Sequence, residues 1–173
     1  KHLAVSKMNS SNIELRVHPV LIKLNSYLAN LKGVRNVIEV ETDLLGTLHI
    51  AGSGAGQEAT ASGLISDLVH LANSNLNSSS NEIETIPEII DFSSLSFQYY
   101  FYIEAEDIPG VMASITSMFA QKKIGIESIV QKENLKENRV PIVIISDPFI
   151  EKNHDELVKN ILNLNSVNQV RSI

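Results

Sequence analysis

Three glycines at alternate positions, Gly52, Gly54 and Gly56, separate a short apolar run from an amphipathic segment. Glycine lets the backbone take positive φ and approach a ligand closely, because it has no Cβ. The stretch Thr47–Gly63 therefore predicts a strand, a tight loop and a helix. Because the first amides of such a helix point outward as unpaired donors, the loop suits an anion such as a phosphate.

The glycine loop lacks the rest of the usual dinucleotide fingerprint. That fingerprint continues into a second strand and places an Asp or Glu about 20 residues beyond the glycines. Here Ala72 stands at that distance from Gly52, and the polar tract Asn73–Asn81 follows. From spacing alone, two interpretations stay open. The loop either contacts a phosphate-bearing ligand, or it is a tight turn in which the glycines serve only local geometry.

Composition limits the class of protein. The chain has 173 residues, of which 43% are hydrophobic, a formal net charge of −6 and no cysteine. No apolar run approaches the roughly 20 residues of a membrane span, and no basic cluster is present, so we expect neither a membrane nor a nucleic-acid partner. Without cysteine, disulfides and thiolate chemistry are excluded, which agrees with a cytoplasmic protein. The histidines show no metal-ligand spacing, so no metal site is predicted.

An Asn/Ser-rich tract divides the chain in two. Residues 1–80 carry equal numbers of acidic and basic side chains, and residues 81–173 carry the whole net charge of −6. Asn and Ser side chains bond to their own backbone and resist helix and strand. We therefore predict a first unit at 1–75, a linker at 76–95 and a second unit at 96–173.

In the first unit, alternating residues predict strands at Ile13–Val17, Val34–Glu41 and Thr47–Ile50, which together make a hairpin-rich sheet. Thr60 or Ser62 is the expected cap of the helix that follows. A unit of about 75 residues with one helix has a thin core, so we expect it to be the end of a larger domain. Apolar residues recur at helical spacing along the helix and predict a buried face, formed by Leu64, Ile65, Leu68, Val69, Leu71 and Ala72.

The second unit predicts an α+β fold in the order βαββαβ, the ferredoxin-like arrangement. Apolar residues at helical spacing indicate the helices, and apolar or aromatic runs bounded by turn residues indicate the strands. A charged turn is expected at Glu133–Asn138. The predicted strands are Phe97–Glu104, Ile126–Gln131, Val140–Ser146 and Val167–Ile173, and the predicted helices are Val111–Lys122 and Glu151–Asn165.

Motifs along the chain carry a family pattern, and the segments are Ile13–Ile22, Gly33–Val40, Gly52–Ser62, Phe97–Val111, Ile126–Lys132 and Val140–Ile145. In this order they resemble bacterial homoserine dehydrogenases. The first unit is similar to the closing segment of the catalytic region, and the second to the ACT regulatory domain attached to these enzymes. The resemblance covers nearly the whole chain. Lys123 departs from the pattern, because relatives commonly have the glycine that ends the first ACT helix.

The resemblance implies an NAD(P)-dependent oxidoreductase that interconverts L-aspartate 4-semialdehyde and L-homoserine, on the route to threonine, methionine and isoleucine. It also implies a homo-oligomer of at least two copies, often inhibited by threonine. In that family the nucleotide fingerprint, the acidic substrate-binding residues and the catalytic lysine lie upstream of the segment that matches Lys1. The chain is therefore expected to be a carboxyl-terminal fragment that holds no catalytic residue and is inactive alone.

The resemblance also implies ligand contacts at individual positions. Gly56, with Thr60 close by at the helix start, would contact the NADP or NAD of the complete enzyme. In the second unit, helix amides after Gly110 would hold the carboxylate of a small amino acid, threonine first, and Asp107 would hold its ammonium group. A plain turn at Asp107–Val111 is the alternative. The expected effector-binding residues are Asp107, Pro109, Gly110, Val111, Ile126 and Ser128.

Two functions of different classes follow from these patterns. The first is part of an oxidoreductase, in which the glycine loop completes a cofactor site. The second is a stand-alone amino-acid-binding and oligomerisation module without catalysis. The glycine loop favours the first function for the parent protein, because a pure sensor has no need of three glycines before a helix.

Overall fold

The computed structural model describes four stretches of the chain, residues 1–9, 11–73, 86–132 and 138–173. The first five residues of the turn predicted at Glu133–Asn138 and the first half of the predicted linker, residues 76–85, therefore lie outside the described residues. Within these stretches no helix is long and apolar enough to cross a membrane. The strands are β1 His2–Met8, β2 Asn12–Pro19, β3 Arg35–Thr42, β4 Gly46–Ser53, β5 Glu88–Ile89, β6 Ser96–Phe97, β7 Tyr100–Glu106, β8 Ile126–Gln131, β9 Arg139–Ser146, β10 Phe149–Ile150 and β11 Val167–Ser172, and the α-helices are α1 Gln57–Asn73, α2 Val111–Gln121 and α3 His154–Leu162.

The chain forms two compact units, and each unit is made of two segments that are not consecutive in the sequence. The first contains Lys1 and Leu21–Ile86, and the second contains His2–Val20 and Pro87–Ile173. The ranges 1–75, 76–95 and 96–173 stay predictions of domain limits. The compact units differ from these ranges because a segment predicted in the first domain packs in the second unit.

That segment, His2–Val20, joins the second unit through backbone pairing and through aromatic rings. β1 pairs with β2 in antiparallel fashion, and β2 pairs in parallel with the short β5. The His18 ring lies 5.8 Å from the Phe97 ring, and the Arg16 guanidinium lies 5.0 Å from the centre of the same Phe97 ring. These partners are about 80 positions apart in the sequence, so no local pattern predicts their contact.

The first unit contains the predicted hairpin. β3 and β4 pair in antiparallel fashion along their whole length, from Arg35 opposite Ser53 to Thr42 opposite Gly46. Gly46 takes φ +70 at the turn, which is a conformation that favours glycine. Side chains alternate between the two faces of the hairpin. One face carries the apolar side chains Ile38, Val40, Leu48 and Ile50, all of them exposed.

Helix α1 differs from its prediction in two ways. It begins at Gln57, so Thr60 and Ser62 lie inside the helix and neither is its cap. The face predicted to be buried is exposed: the side chains of Leu64, Leu68 and their large apolar neighbours are each more than half accessible to solvent. Apolar periodicity shows which face of a helix needs a partner, and it does not supply that partner within the same unit.

The second unit has a mixed α+β fold, as predicted. Its four-stranded sheet has the order β11–β7–β9–β8, and α2, α3 and the sheet share one hydrophobic core. Alternate residues of β7 point into that core, where the Phe101 ring lies 5.3 Å from the Phe119 ring of α2. The fully buried side chains include Phe101, Ile103, Ile115, Phe119, Ile142, Ile144, Leu157 and Ile161.

Two predicted elements of the second unit are divided in the structure. The predicted strand Phe97–Glu104 breaks at Tyr99, whose N–H donates to the Ser146 hydroxyl at 3.1 Å. The predicted helix Glu151–Asn165 begins with a 3-10 turn, so α3 itself starts at His154 and ends at Leu162. The strand Ile126–Gln131 agrees with its prediction at both ends.

The end of α2 explains the departure at Lys123. Lys123 takes φ +57, its N–H donates to the Ala120 carbonyl at 2.9 Å, and the Ile124 N–H donates to the Phe119 carbonyl at 3.0 Å. These two bonds are those of the Schellman motif, in which the left-handed position is usually glycine. The cap therefore keeps the geometry of a glycine cap while a lysine occupies its strained position.

Replacing Lys123 with glycine is expected to raise the free energy of unfolding of the second unit by about 1 kcal/mol. The left-handed conformation costs a non-glycine residue about 1–2 kcal/mol, and the greater freedom of glycine in the unfolded chain offsets part of that gain. Urea titration followed by tyrosine fluorescence measures the change. Lys122→Gly is the control. Lys122 takes φ −88, so glycine relieves no strain there, and its pairing with Glu156 at 2.5 Å is lost, so this variant should not gain stability. A loss of stability in Lys123→Gly would contradict the strained-cap interpretation.

Candidate functional site

The glycine loop connects β4 to α1 and is held against β3. Gly52 stands opposite Asn36 in the hairpin, and the Gly54 N–H donates to the Val34 carbonyl at 2.9 Å. Gly56 takes φ +115, which L side chains rarely adopt. α1 begins at the next residue. Strand, loop and helix therefore follow one another as the sequence predicts.

Gly56 lies beside open space at the amino terminus of α1. A Cβ added to it would meet no heavy atom within 4 Å. The first helical amides have no acceptor inside the helix and carry its positive dipole end. Positive φ, free space and outward amides at one point can accommodate a phosphate group, and the cofactor contact at Gly56 stays a prediction.

Thr60 supports the loop from inside the first turn of α1. Its N–H donates to the Gly56 carbonyl at 3.0 Å, and its hydroxyl donates to the same carbonyl at 2.9 Å. The hydroxyl proton is therefore used within the protein. Thr60 holds the orientation of Gly56, and only the hydroxyl lone pairs stay available as acceptors.

The second predicted site begins where β7 ends. The Asp107 N–H donates to the Asn138 carbonyl at 2.9 Å, and Gly110 precedes α2 with φ +94. Pro109 is exposed between them, and Val111 is buried as the first residue of the helix. Asp107 is also exposed. Four of the predicted effector residues therefore lie together, next to the amino terminus of an 11-residue helix.

The other two predicted effector residues lie at the opposite end of the sheet. Ser128 stands opposite Ile145 of β9, which stands opposite Tyr100 at the start of β7. Ile126 lies one step further from the loop, opposite Ser146. Because a strand advances about 3.3 Å per residue, Ser128 and Asp107 are separated by about 20 Å along the strands alone. The structure does not bring Ile126 and Ser128 to the loop of the same copy.

Asn36 touches the loop from β3, and no role was predicted for it from the sequence. A Cβ on Gly54 would lie 1.8 Å from the Asn36 Nδ2 atom, so the carboxamide fills the place of a side chain there. The hairpin register is the signal that identifies this neighbour, because it pairs Asn36 with Gly52.

A histidine and a glutamate pair with each other on the second face of the hairpin. His49 Nε2 lies 2.9 Å from Glu39 Oε2, and the Tyr27 ring lies 4.4 Å from the His49 ring. His49 thus has an acidic partner and an aromatic neighbour. Among the described residues, no group of three or more His, Asp and Glu side chains could hold a metal ion.

This chain is similar to known proteins in both sequence and fold. The homoserine dehydrogenase family model matches residues 1–69. A homoserine dehydrogenase from Pseudomonas aeruginosa is 33% identical over 168 residues, which cover 91% of this chain and 39% of the relative. One from Helicobacter pylori is 34% identical over 169 residues, covering 96% and 40%. The crystal structure of a homoserine dehydrogenase from Thiobacillus denitrificans superposes with a TM-score of 0.83 at 31% identity, over 100% of this chain and 41% of that one.

Fold and site together define a mixed α+β chain in which a strand, a glycine loop and a helix form one candidate ligand site. The sequence relatives identify the family within this class. The chain belongs to the homoserine dehydrogenase family, and it spans about 40% of the length of the relatives it matches.

Proposed function

We propose that the complete protein to which this chain belongs is an NAD(P)-dependent homoserine dehydrogenase, and that this chain supplies the closing part of its cofactor site. The observation that carries the proposal is Gly56, at φ +115 beside open space at the start of α1. It occurs in a chain that is 33–34% identical to two proteins named homoserine dehydrogenase. The reaction is the interconversion of L-aspartate 4-semialdehyde and L-homoserine.

In this reaction the cofactor supplies or accepts a hydride, and the protein supplies binding and orientation. Gly56 lets the backbone approach the cofactor phosphates, and the first amides of α1 offer them donors. Thr60 fixes the Gly56 carbonyl through two hydrogen bonds. We place the proton-transfer residues in the part of the protein that lies outside this chain.

Two apolar faces of the first unit support the presence of a larger protein around it. Leu68 of α1 is 66% exposed, and Ile50 of the hairpin is 65% exposed. Burying an aliphatic side chain of this size stabilises a protein by about 1.5–3 kcal/mol. Several such side chains on each face are therefore expected to be covered in the complete enzyme.

The purified 173-residue chain is expected to show no homoserine-dependent reduction of NAD or NADP, whereas the complete protein is expected to be active. Hydride transfer needs a bound nicotinamide and a proton-transfer group, and the proposal places most of both sites outside this chain. The absorbance of the reduced nicotinamide measures the rate. Turnover by the chain alone would contradict this division. Inactivity of the complete protein with either coenzyme would contradict the proposed reaction.

We also propose that the second unit is an ACT-type regulatory domain, which binds L-threonine and associates with a second copy. β8 is an edge strand, and its Ile129 and Val130 are exposed. Exposed edge strands readily pair with another chain, and a unit of this size buries a limited apolar area alone. A symmetric pair joined along β8 is the simplest association that covers this edge.

Such a pair would assemble the divided effector site. When β8 pairs in antiparallel fashion with β8 of the other copy, the sheets of the two copies run in opposite directions. The Asp107–Val111 loop of one copy then lies at the same end of the joined sheet as Ser128 of the other. In this arrangement the α2 amides and Asp107 bind the carboxylate and ammonium groups of threonine, and the partner strand closes the site. Threonine would thereby bias the packing of two subunits.

A further inference from the structure

The three glycines of the loop differ in their backbone conformation and in the space around them. Gly56 has positive φ and open space around it, whereas Gly52 and Gly54 do not have positive φ. Gly52 also has open space, because an added Cβ would meet nothing within 4 Å. At Gly54 the same Cβ would lie 1.8 Å from Asn36 Nδ2 and 2.4 Å from Asn36 Cγ. The backbone at Gly54 therefore permits a side chain, and the three heavy atoms nearest to its added Cβ all belong to the Asn36 carboxamide.

We infer that Asn36 is a positioning residue for the cofactor loop, acting through Gly54. The inference rests on the proposed function of the loop. Asn36 lies on β3, where a full-length antiparallel ladder with β4 fixes its place. Its carboxamide packs on the Gly54 Cα, while the Gly54 N–H donates to the Val34 carbonyl of the segment that leads into β3. Two contacts thus hold the middle of the loop against the hairpin.

This attachment determines where Gly56 lies. Between Gly54 and the first turn of α1 only Ala55 and Gly56 intervene, and Thr60 holds Gly56 from the helix side. The loop is therefore held at Gly54 by the strand and at Gly56 by the helix. If Gly54 is pushed away from β3, the backbone that approaches the cofactor must move with it. We infer no direct contact between Asn36 and the cofactor.

The test is a double-mutant cycle in the complete enzyme, with the coenzyme dissociation constant as the readout. Gly54→Ala is expected to raise that constant roughly tenfold, which corresponds to about 1.4 kcal/mol, because the methyl group and the Asn36 carboxamide cannot share one place and either the side chain or the loop must shift. Gly63→Ala is the matched control, because it is the same substitution in α1, outside the loop, with no clash and no positive φ. It is expected to leave the constant within about twofold.

The decisive variant is Asn36→Ala combined with Gly54→Ala. Removing the carboxamide makes room for the new methyl group, so the double variant is expected to bind coenzyme more tightly than Gly54→Ala alone. Asn36→Ala by itself should weaken binding by about threefold, since the loop loses one support without a clash. Thermal unfolding and the KM for homoserine at saturating coenzyme should change little, which separates positioning from a general loss of fold.

The outcomes distinguish this inference from the proposed function. Additive effects of Asn36→Ala and Gly54→Ala, or an unchanged coenzyme affinity in Gly54→Ala, would overturn the role of Asn36. If Gly54→Ala fails to fold while the double variant folds and binds coenzyme, the coupling is demonstrated by that rescue. If Gly56→Val also leaves coenzyme affinity unchanged, the cofactor role of the whole loop is overturned.

Discussion

Gly56→Val in the complete enzyme is expected to raise the dissociation constant for NADP or NAD by roughly 100-fold, which corresponds to about 2.8 kcal/mol. The residue has φ +115, where a non-glycine residue is strained by about 1–3 kcal/mol. In addition, the valine side chain would enter the open space in which we propose that the cofactor lies. Fluorescence titration with the reduced coenzyme measures the constant.

Gly63→Ala is the control for this prediction. Gly63 lies in the middle of α1, an added Cβ there meets no heavy atom within 4 Å, and its φ is not positive. Alanine is a better helix former than glycine by about 1 kcal/mol, so this variant should be as stable as the wild type or more stable, with unchanged coenzyme affinity. Unchanged affinity in Gly56→Val, with the protein folded, would return the loop to the alternative of a simple tight turn.

The second large effect concerns threonine. Asp107→Ala in the complete protein is expected to weaken threonine binding by about 10- to 100-fold, because a hydrogen bond to a charged group contributes about 1.5–3 kcal/mol. Ser128→Tyr is expected to abolish binding by filling the site from the strand side. Calorimetry measures both. Asp155→Ala is the control, because Asp155 is an exposed carboxylate on α3, distant in sequence from the loop.

A mixed oligomer of the two variants tests whether the site lies between copies. One copy carries Asp107→Ala and the other carries Ser128→Tyr, each with its own affinity tag. If the loop of one copy meets the strand of the other, one intact site forms from two wild-type halves, and the mixed pair should bind about half as much threonine as the wild type. A mixed pair that binds no threonine would contradict a shared site.

Another possible outcome is that the second unit binds no amino-acid effector. A folded oligomer that gives no heat with threonine, isoleucine, methionine or lysine would mean that the second unit serves assembly alone. In that case Asp107–Val111 would be the plain turn that its Pro-Gly pair also permits. The proposed dehydrogenase reaction would be unaffected, because it rests on the glycine loop and on the family match.

Helix α2 shows what could be predicted from sequence. Val111, Ile115 and Phe119 recur at helical spacing after a Pro-Gly turn, and all three are buried in the second unit. The strand Ile126–Gln131 was predicted at both ends for a similar reason, since polar or turn residues bound it. Patterns of this kind are local, because helix and strand periodicities act over a few residues.

Helix α1 shows the limit of the same reasoning. Its apolar spacing was correctly identified, but Leu64 and Leu68 are exposed. Its cap was predicted at Thr60 or Ser62, which is too late in the chain, because the helix begins at Gln57 and Thr60 bonds to Gly56 from inside it. A polar side chain near a helix start has several possible partners, and the sequence does not state which one it takes.

Local residue patterns were enough to predict the strand–loop–helix order at the glycines, the family resemblance and the periodic elements of the second unit. Which of these elements are neighbours became known from the three-dimensional fold. The register between β3 and β4 brings Asn36 to Gly54, and the registers of β7, β9 and β8 place Ser128 and Asp107 at opposite ends of the sheet. Sheet order and register arise from backbone pairing between residues distant in the chain. Such pairing leaves no periodic trace in a short segment, and so local patterns could predict the residue types of both sites but could not predict their neighbours.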